Sequence, residues 1–185
     1  DVTFALDRAG LVGADGATHQ GLYDVSYLRA LPNIVVMAPK DENELQQMLK
    51  TAVEYPGPAA LRYPRGNGFG VPLDQDLKSI QIGESELLRD GDRLVVVALG
   101  TLVDAALEAA EERGAGGSSA AVVNPRFTKH LDKARIVALA KRCGAVLTVE
   151  EHGAQGGFGG AVLEALAEAG VAVPVRILAV PDVRI

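Results

Sequence analysis

Short apolar runs alternate with amphipathic stretches along almost the whole chain, and that alternation restricts it to a layered α/β architecture. Ile34-Val-Val-Met-Ala38 contains no polar residue, as expected of a strand covered on both faces in a parallel sheet. Asp41 then opens a helix as N-cap, with Glu44 three residues on completing a capping-box pattern. Leu45, Met48, Leu49, Ala52 and Val53 recur at helical spacing and predict one buried stripe. Further strands are expected at Val2–Leu6, Ala59–Tyr63, Gly83–Leu88, Arg93–Leu99, Ala120–Asn124, Ala145–Val149 and Val175–Val180. Helices are expected near Asp24–Leu31 and over Thr101–Arg113, Asp132–Arg142 and Gly157–Ala169. Asp90-Gly91 reads as the turn between two of the strands, and Gly144 as a left-handed helix cap.

From Gly66 to about Ile82 this rhythm fails, and Gly, Pro and Asp accumulate. The chain therefore divides into a first unit at 1–70, a linker at 71–82 and a second unit at 83–185. Gly114–Ser119 reads as a flexible loop. The first residues already read as a strand without an initiator Met, and the last follow closely on another strand, so a piece of a longer protein is expected.

At 185 residues the chain fits one large or two small domains, and 48% hydrophobic against 23% charged residues is an ordinary globular balance. A net charge of −6 argues against a nucleic-acid or anionic-membrane partner. No apolar run approaches the roughly 20 residues of a membrane span. The single cysteine, Cys143, excludes an internal disulfide, reads as core packing on a helix, and makes a cytoplasmic setting the expectation.

In parallel sheets ligands bind beyond the carboxyl ends of strands, which directs attention to the residues after Leu6 and after Tyr63. The first stretch, Asp7 to Gly21, has four glycines in fifteen residues, threaded with Arg8, Asp15, His19 and Gln20. The second presents Arg65 within Tyr-Pro-Arg-Gly-Asn. Two arginines at neighbouring strand ends can grip one phosphate or carboxylate, because guanidinium groups bind such anions in bidentate fashion. The residues alone leave a plainer reading open, in which Arg8 merely pairs with Asp7 or Asp24 at the surface. The glycine loop fits neither the Walker nor the dinucleotide pattern. His130 and His152 lie outside any catalytic constellation and read as solvated loop residues.

The wording of DRAGLVGADGATHQGLYDVSYLR, PNIVVMAPKDENEL and LRYPRGN closely resembles the 1-deoxy-D-xylulose-5-phosphate synthases, a thiamine-diphosphate family of the transketolase superfamily. The resemblance continues through VVNPRFTKHLD, LTVEEHGAQGGFGGAVLEAL and VRILAVPD, and so covers nearly the whole chain. It implies the distal part of a parallel-sheet pyrimidine-binding domain followed by a transketolase C-terminal-type α/β domain. It also implies condensation of pyruvate with glyceraldehyde 3-phosphate and loss of carbon dioxide. By motif match Arg8 and Arg65 would hold the substrate phosphate, Asp15 would accept a hydrogen bond from the acceptor hydroxyl, and His19 would sit near the reacting carbonyl. The residues for thiamine diphosphate and Mg²⁺, and the activating Glu, would lie upstream of Asp1. A homodimer or a companion N-terminal chain is the implied partner. Two departures stand out: Lys129-His130-Leu131-Asp132 where the family has Pro after Lys, and the ending Val183-Arg184-Ile185. Transketolase itself, a 2-oxo acid dehydrogenase β-subunit, and a non-catalytic assembly module are the rival readings.

Overall fold

The computed structural model describes residues 1–114 and 119–183, so most of the expected Gly114–Ser119 loop and the terminal Arg184-Ile185 lie outside the described residues. In chain order the elements are β1 (Thr3–Leu6), α1 (Asp24–Ala30), β2 (Val35–Met37), α2 (Glu42–Glu54), β3 (Ala59–Arg62), β4 (Glu86–Arg89) and β5 (Leu94–Ala98). There follow α3 (Leu102–Gly114), β6 (Ala120–Asn124), β7 (Phe127–Lys129), α4 (Lys133–Cys143), β8 (Val146–Gly153), α5 (Phe158–Glu168) and β9 (Val175–Val180). The strands make two sheets, ordered β1-β3-β2-β7 and β4-β6-β5-β8-β9. Each has a parallel body with one antiparallel edge, β7 in the first and β4 in the second.

The apolar runs account for the sheet interiors. Val35, Val36 and Met37 of β2 and Val95 and Val97 of β5 are fully buried, as a strand flanked on both sides must be. Asp41 caps α2, its carboxylate accepting from the Glu44 backbone N–H at 2.7 Å. The α4 cap is built alike, with Asp132 accepting from Arg135 N–H and Gly144 closing the helix at φ 74°. Cys143 packs in the second core beside Val95, Ile136 and Phe158.

Several expectations are corrected. Leu49 and Val53 do not join the buried stripe of α2; they are 48% and 71% exposed, while Met48 and Ala52 carry the packing. The capping box is half made, because the Glu44 carboxylate turns away from Asp41 N–H. It accepts instead from Lys40 N–H at 2.7 Å and, across the unit boundary, from Asn124 at 2.9 and 3.0 Å and Arg126 at 2.8 Å. The Asp90-Gly91 turn joins β4 to β5, yet the two strands do not pair; β6 lies between them. β7, absent from the sequence reading, leaves the second unit's stretch of chain and pairs with β2, and its Phe127 is buried in the first unit's core.

The segment between β3 and β4 holds no helix or strand but lies along α2. Glu42 accepts from the backbone N–H groups of Phe69, Gly70 and Val71, and Ile80 donates its N–H to Thr51 Oγ1 at 2.8 Å while its side chain enters the first core. His130 is exposed, with φ 67°, a backbone that proline cannot adopt.

Candidate functional site

β1 and β3 are parallel neighbours with Leu6 opposite Arg62, so the segments leaving them emerge at the same edge. Tyr63 N–H donates to Leu6 O and Ala9 N–H donates to Tyr63 O, each at 3.0 Å, which lays the Arg8 segment directly against the Tyr63-Pro64-Arg65 segment. The intervening loop closes on itself, since Gly10 and Gly21 exchange backbone hydrogen bonds of 2.9 and 3.0 Å. A Cβ at Gly21 would stand 2.1 Å from Arg8 O, so only glycine fits there. Gln20 pins the interior, its Oε1 accepting from Val12 N–H at 2.5 Å and its Nε2 donating to Gly16 O at 3.3 Å.

These constraints bring Arg8, Asp15 and Arg65 together. One Asp15 oxygen accepts from Arg8 Nε at 2.8 Å and lies 3.3 Å from Arg65 Nε. The hydrogen bond from Arg8, helped by the charge of Arg65 and the nearby His19, holds the Asp15 carboxyl below the usual carboxylate range against the effect of its partial desolvation. Arg8 also meets Asp7, so part of the plain surface-pairing reading holds; Asp24 is engaged elsewhere. Arg8 has φ 60°, the left-handed region that non-glycine residues occupy only under constraint. His19 is exposed on the same loop, with Nδ1 3.0 Å from Thr18 Oγ1. The side chain of Arg65 is 47% exposed, so two guanidinium groups flank one carboxylate at an open edge. Such an edge can take an anionic oxygen ligand.

Beneath the loop lies a buried cluster that sequence reasoning missed. Arg62, at the end of β3, is 5% exposed and donates to Asp24 Oδ2 at 2.7 Å. His152 is fully buried, which corrects its reading as a solvated loop residue. Its Nδ1–H donates to Gly153 O at 2.8 Å, and its Nε2 accepts from Ser26 N–H in the first turn of α1 at 3.4 Å. Glu150 is buried as well, accepting from Phe158 and Gly159 N–H at the start of α5. The one available signal was an arginine inside the apolar word Ala59-Ala-Leu-Arg-Tyr63, since a charge in a buried strand requires a buried partner. The carboxyl ends of both sheets meet here, around Ala38, Arg62, Leu99 and Glu151.

Burial pushes the His152 pKa below its ordinary 6.5, reinforced by the charge of Arg62 and opposed by Gly153 and Asp24. The unfolded chain then binds a proton before the folded chain does, so this histidine contributes stability above pH ~6.5 that is lost as pH falls. Glu150 and Glu151, raised by burial, act in the opposite sense. Comparing thermal midpoints of the wild type and His152→Gln between pH 7.5 and pH 6 isolates the imidazole, because the carboxylates are common to both. The wild type is expected to lose more stability on acidification. Identical pH profiles would mean that His152 is not held neutral.

Residues 1–69 match the family described as Transketolase, pyrimidine binding domain, and residues 83–185 that described as Transketolase, C-terminal domain. The chain is 58% identical over 183 residues to 1-deoxy-D-xylulose-5-phosphate synthase 2 of Geobacter sulfurreducens, covering 98% of this chain and 29% of that protein. It is 56% identical over 184 residues to the 1-deoxy-D-xylulose-5-phosphate synthase of Thermosynechococcus vestitus, with 98% and 29% covered. The chain thus spans under a third of the length of these relatives. Among solved structures, a split gene transketolase in an inactive β4 tetramer superposes with a TM-score of 0.85 at 37% identity, covering 98% of this chain and 58% of that one. A transketolase from Campylobacter jejuni shares the fold alone, at TM-score 0.62 and 23% identity over 80% of this chain and 24% of its own.

Proposed function

Because this chain belongs to the transketolase family in both of its units, we propose that it is the acceptor-binding part of a synthase. That enzyme condenses pyruvate and glyceraldehyde 3-phosphate to 1-deoxy-D-xylulose 5-phosphate with loss of carbon dioxide. The observation that carries the reading is the convergence of Arg8 and Arg65 on Asp15 at the carboxyl edge of the first sheet. In this reading the two guanidinium groups, which also hold Asp7 and Asp15, take the phosphate of the acceptor through their remaining N–H donors. Asp15, held ionised by its neighbours, accepts a hydrogen bond from the acceptor hydroxyl. In the same reading His19, exposed on the same loop, holds or moves a proton at the reacting carbonyl. The division of labour follows residues 1–70, the connector 71–82 and residues 83–185, in a cytoplasmic enzyme.

Thiamine diphosphate and Mg²⁺ are part of the proposed reaction, but this chain's described residues offer no ligand set for the metal. No group of three or more His, Cys, Asp or Glu side chains comes together among the described residues as metal ligands. The metal, and the diphosphate it would bridge to the protein, are therefore assigned to the part of the relatives' length that this chain does not span. β1 supports a partner there. It is the outer strand of the first sheet, with Val2 53% and Phe4 45% exposed, and its Thr3 hydroxyl donates to Ala52 O of α2. An open apolar edge of this kind pairs with further strands or with a second copy. No helix among the described residues is long and apolar enough to cross a membrane.

Titration calorimetry of the 185-residue chain tests both halves of the proposal. Glyceraldehyde 3-phosphate is expected to bind detectably better than glyceraldehyde. Thiamine diphosphate with Mg²⁺ is expected to bind weakly, and pyruvate to release no carbon dioxide. Equal affinity for the phosphorylated and unphosphorylated aldehydes would overturn the acceptor assignment. Micromolar cofactor binding would overturn the assignment of the cofactor to the absent portion.

A further inference from the structure

We propose that Arg62 is a positioning residue that fastens the closing end of the loop carrying Arg8, Asp15 and His19 to the Glu150–Gly153 end of β8. The second unit would thereby set the spacing of the two acceptor-binding arginines. The inference rests on the functional reading above for its consequence, but on geometry for its substance.

Arg62 reaches three separate pieces of chain. It donates to Asp24 Oδ2 at 2.7 Å, to Gly21 O at 3.3 Å and to Glu151 O at 3.3 Å. Those acceptors belong to the start of α1, to the residue that closes the loop, and to β8 of the second unit. The opening end of the loop leans on the same strand end, because a Cβ on Gly10 would stand 2.4 Å from a Glu151 carboxylate oxygen. Around this centre the attachment repeats. Gly153 N–H donates to Leu22 O at 2.8 Å, His152 accepts from Ser26 N–H, and Arg29 Nη1 donates to Gly156 O and Gly157 O at 3.0 and 2.9 Å. Within the loop the side-chain bonds are those of Gln20 and of the Arg8–Asp15 and Thr18–His19 pairs. The loop is thus internally light and externally anchored. Its position is a property of the joint, and Arg62 is the side chain that touches all three parties to it.

A merely structural ion pair with Asp24 would give a different signature from a latch. Losing the pair would lower stability everywhere, whereas losing the latch loosens one loop. Hydrogen–deuterium exchange of the 185-residue chain separates the two, read at residues 9–22 and at β5, β6 and α4. Arg62→Met alone leaves the Asp24 carboxylate buried without its cation and can fail to fold. The double variant Arg62→Met/Asp24→Asn removes the stranded charge and keeps the test sound. In that variant exchange at residues 9–22 is expected to rise at least about tenfold, with the second sheet unchanged. Arg62→Lys keeps a cation for Asp24 but lacks the fork that reaches two further carbonyls, so it should recover thermal stability without recovering loop protection. In the intact parent enzyme the double variant should raise KM for glyceraldehyde 3-phosphate about fivefold or more, with KM for pyruvate within about twofold. Unchanged exchange at 9–22, an increase spread evenly over both sheets, or an unmoved acceptor KM beside a loosened loop would each overturn the proposal. Failure of the wild-type chain to distinguish phosphorylated from unphosphorylated aldehyde would instead strike the functional reading, while the exchange result would still decide the latch.

Discussion

Replacing Arg65 by alanine in the intact enzyme is expected to raise KM for glyceraldehyde 3-phosphate roughly tenfold to a hundredfold, while acceptor-independent decarboxylation of pyruvate stays within about twofold. A hydrogen bond from a charged donor is worth about 1.5–3 kcal/mol, and each 1.4 kcal/mol is about tenfold in affinity. Arg65 is the more exposed of the two guanidinium groups, and its recorded ionic contact is Asp15, so its removal disturbs little else. Arg8 is different. It holds Asp15 through the shorter contact from a left-handed backbone position, so Arg8→Ala also frees the carboxylate. The Arg8→Ala/Arg65→Ala double variant should therefore exceed either single change, and Arg65→Lys should recover only part of the loss because an ammonium lacks the bidentate fork. Steady-state kinetics with each substrate varied in turn is the measurement. Parallel losses for pyruvate and for the phosphorylated acceptor would contradict a site devoted to the phosphate.

Glu44→Ala is expected to be the most destabilising single change at the joint between the units. The carboxylate is 2% exposed and accepts from Asn124, Arg126 and Lys40, so truncation strands a buried amide and leaves the half-buried Arg126 with Glu86 as its carboxylate partner. Breaking a buried charge pair from one side costs about 3–5 kcal/mol, which for a chain of this size is roughly 6–20 °C in Tm. Glu44→Gln keeps an acceptor for Arg126 but gives up the charge, and should fall between. Thermal or urea unfolding of the 185-residue chain reads the difference. A loss under about 1 kcal/mol for the alanine variant would show that Glu86, which already accepts from Arg126 at 3.1 Å, suffices to hold it.

The parts of this molecule that local physics determines could be read from the residues. Apolar runs gave the strands of both parallel bodies, Asp41 announced α2 and Gly144 the end of α4, and the placing of Arg8 and Arg65 at neighbouring strand ends followed from the order of β1 and β3. What escaped was settled at a distance. β7 is three residues with no period to detect, and it is a strand because β2 offers it an edge. β4 and β5 look like a hairpin from their turn, but the pairing is decided by β6, which lies between them. Leu49 and Val53 carry the helical spacing of a core stripe yet face outward. His152 was misread for the same reason: nothing in its neighbours along the chain tells that α1 will bring its first turn onto the imidazole.

β7 also imposes an order of events on the making of this protein. The strand that finishes the first sheet is specified about ninety residues after the strand it joins, with most of the second unit's first half in between. At a ribosomal pace of about 5–20 residues per second, that edge of β2 waits on the order of 5–20 s before its cover is synthesised. During that interval the Phe127 position in the first core is empty. A nascent chain stalled before Pro125 should accordingly be loose and chaperone-dependent in its first unit, and one stalled after Leu131 has cleared the exit tunnel should not. The sequence boundary between the two units is therefore no boundary for folding: the earlier unit is completed by the later one.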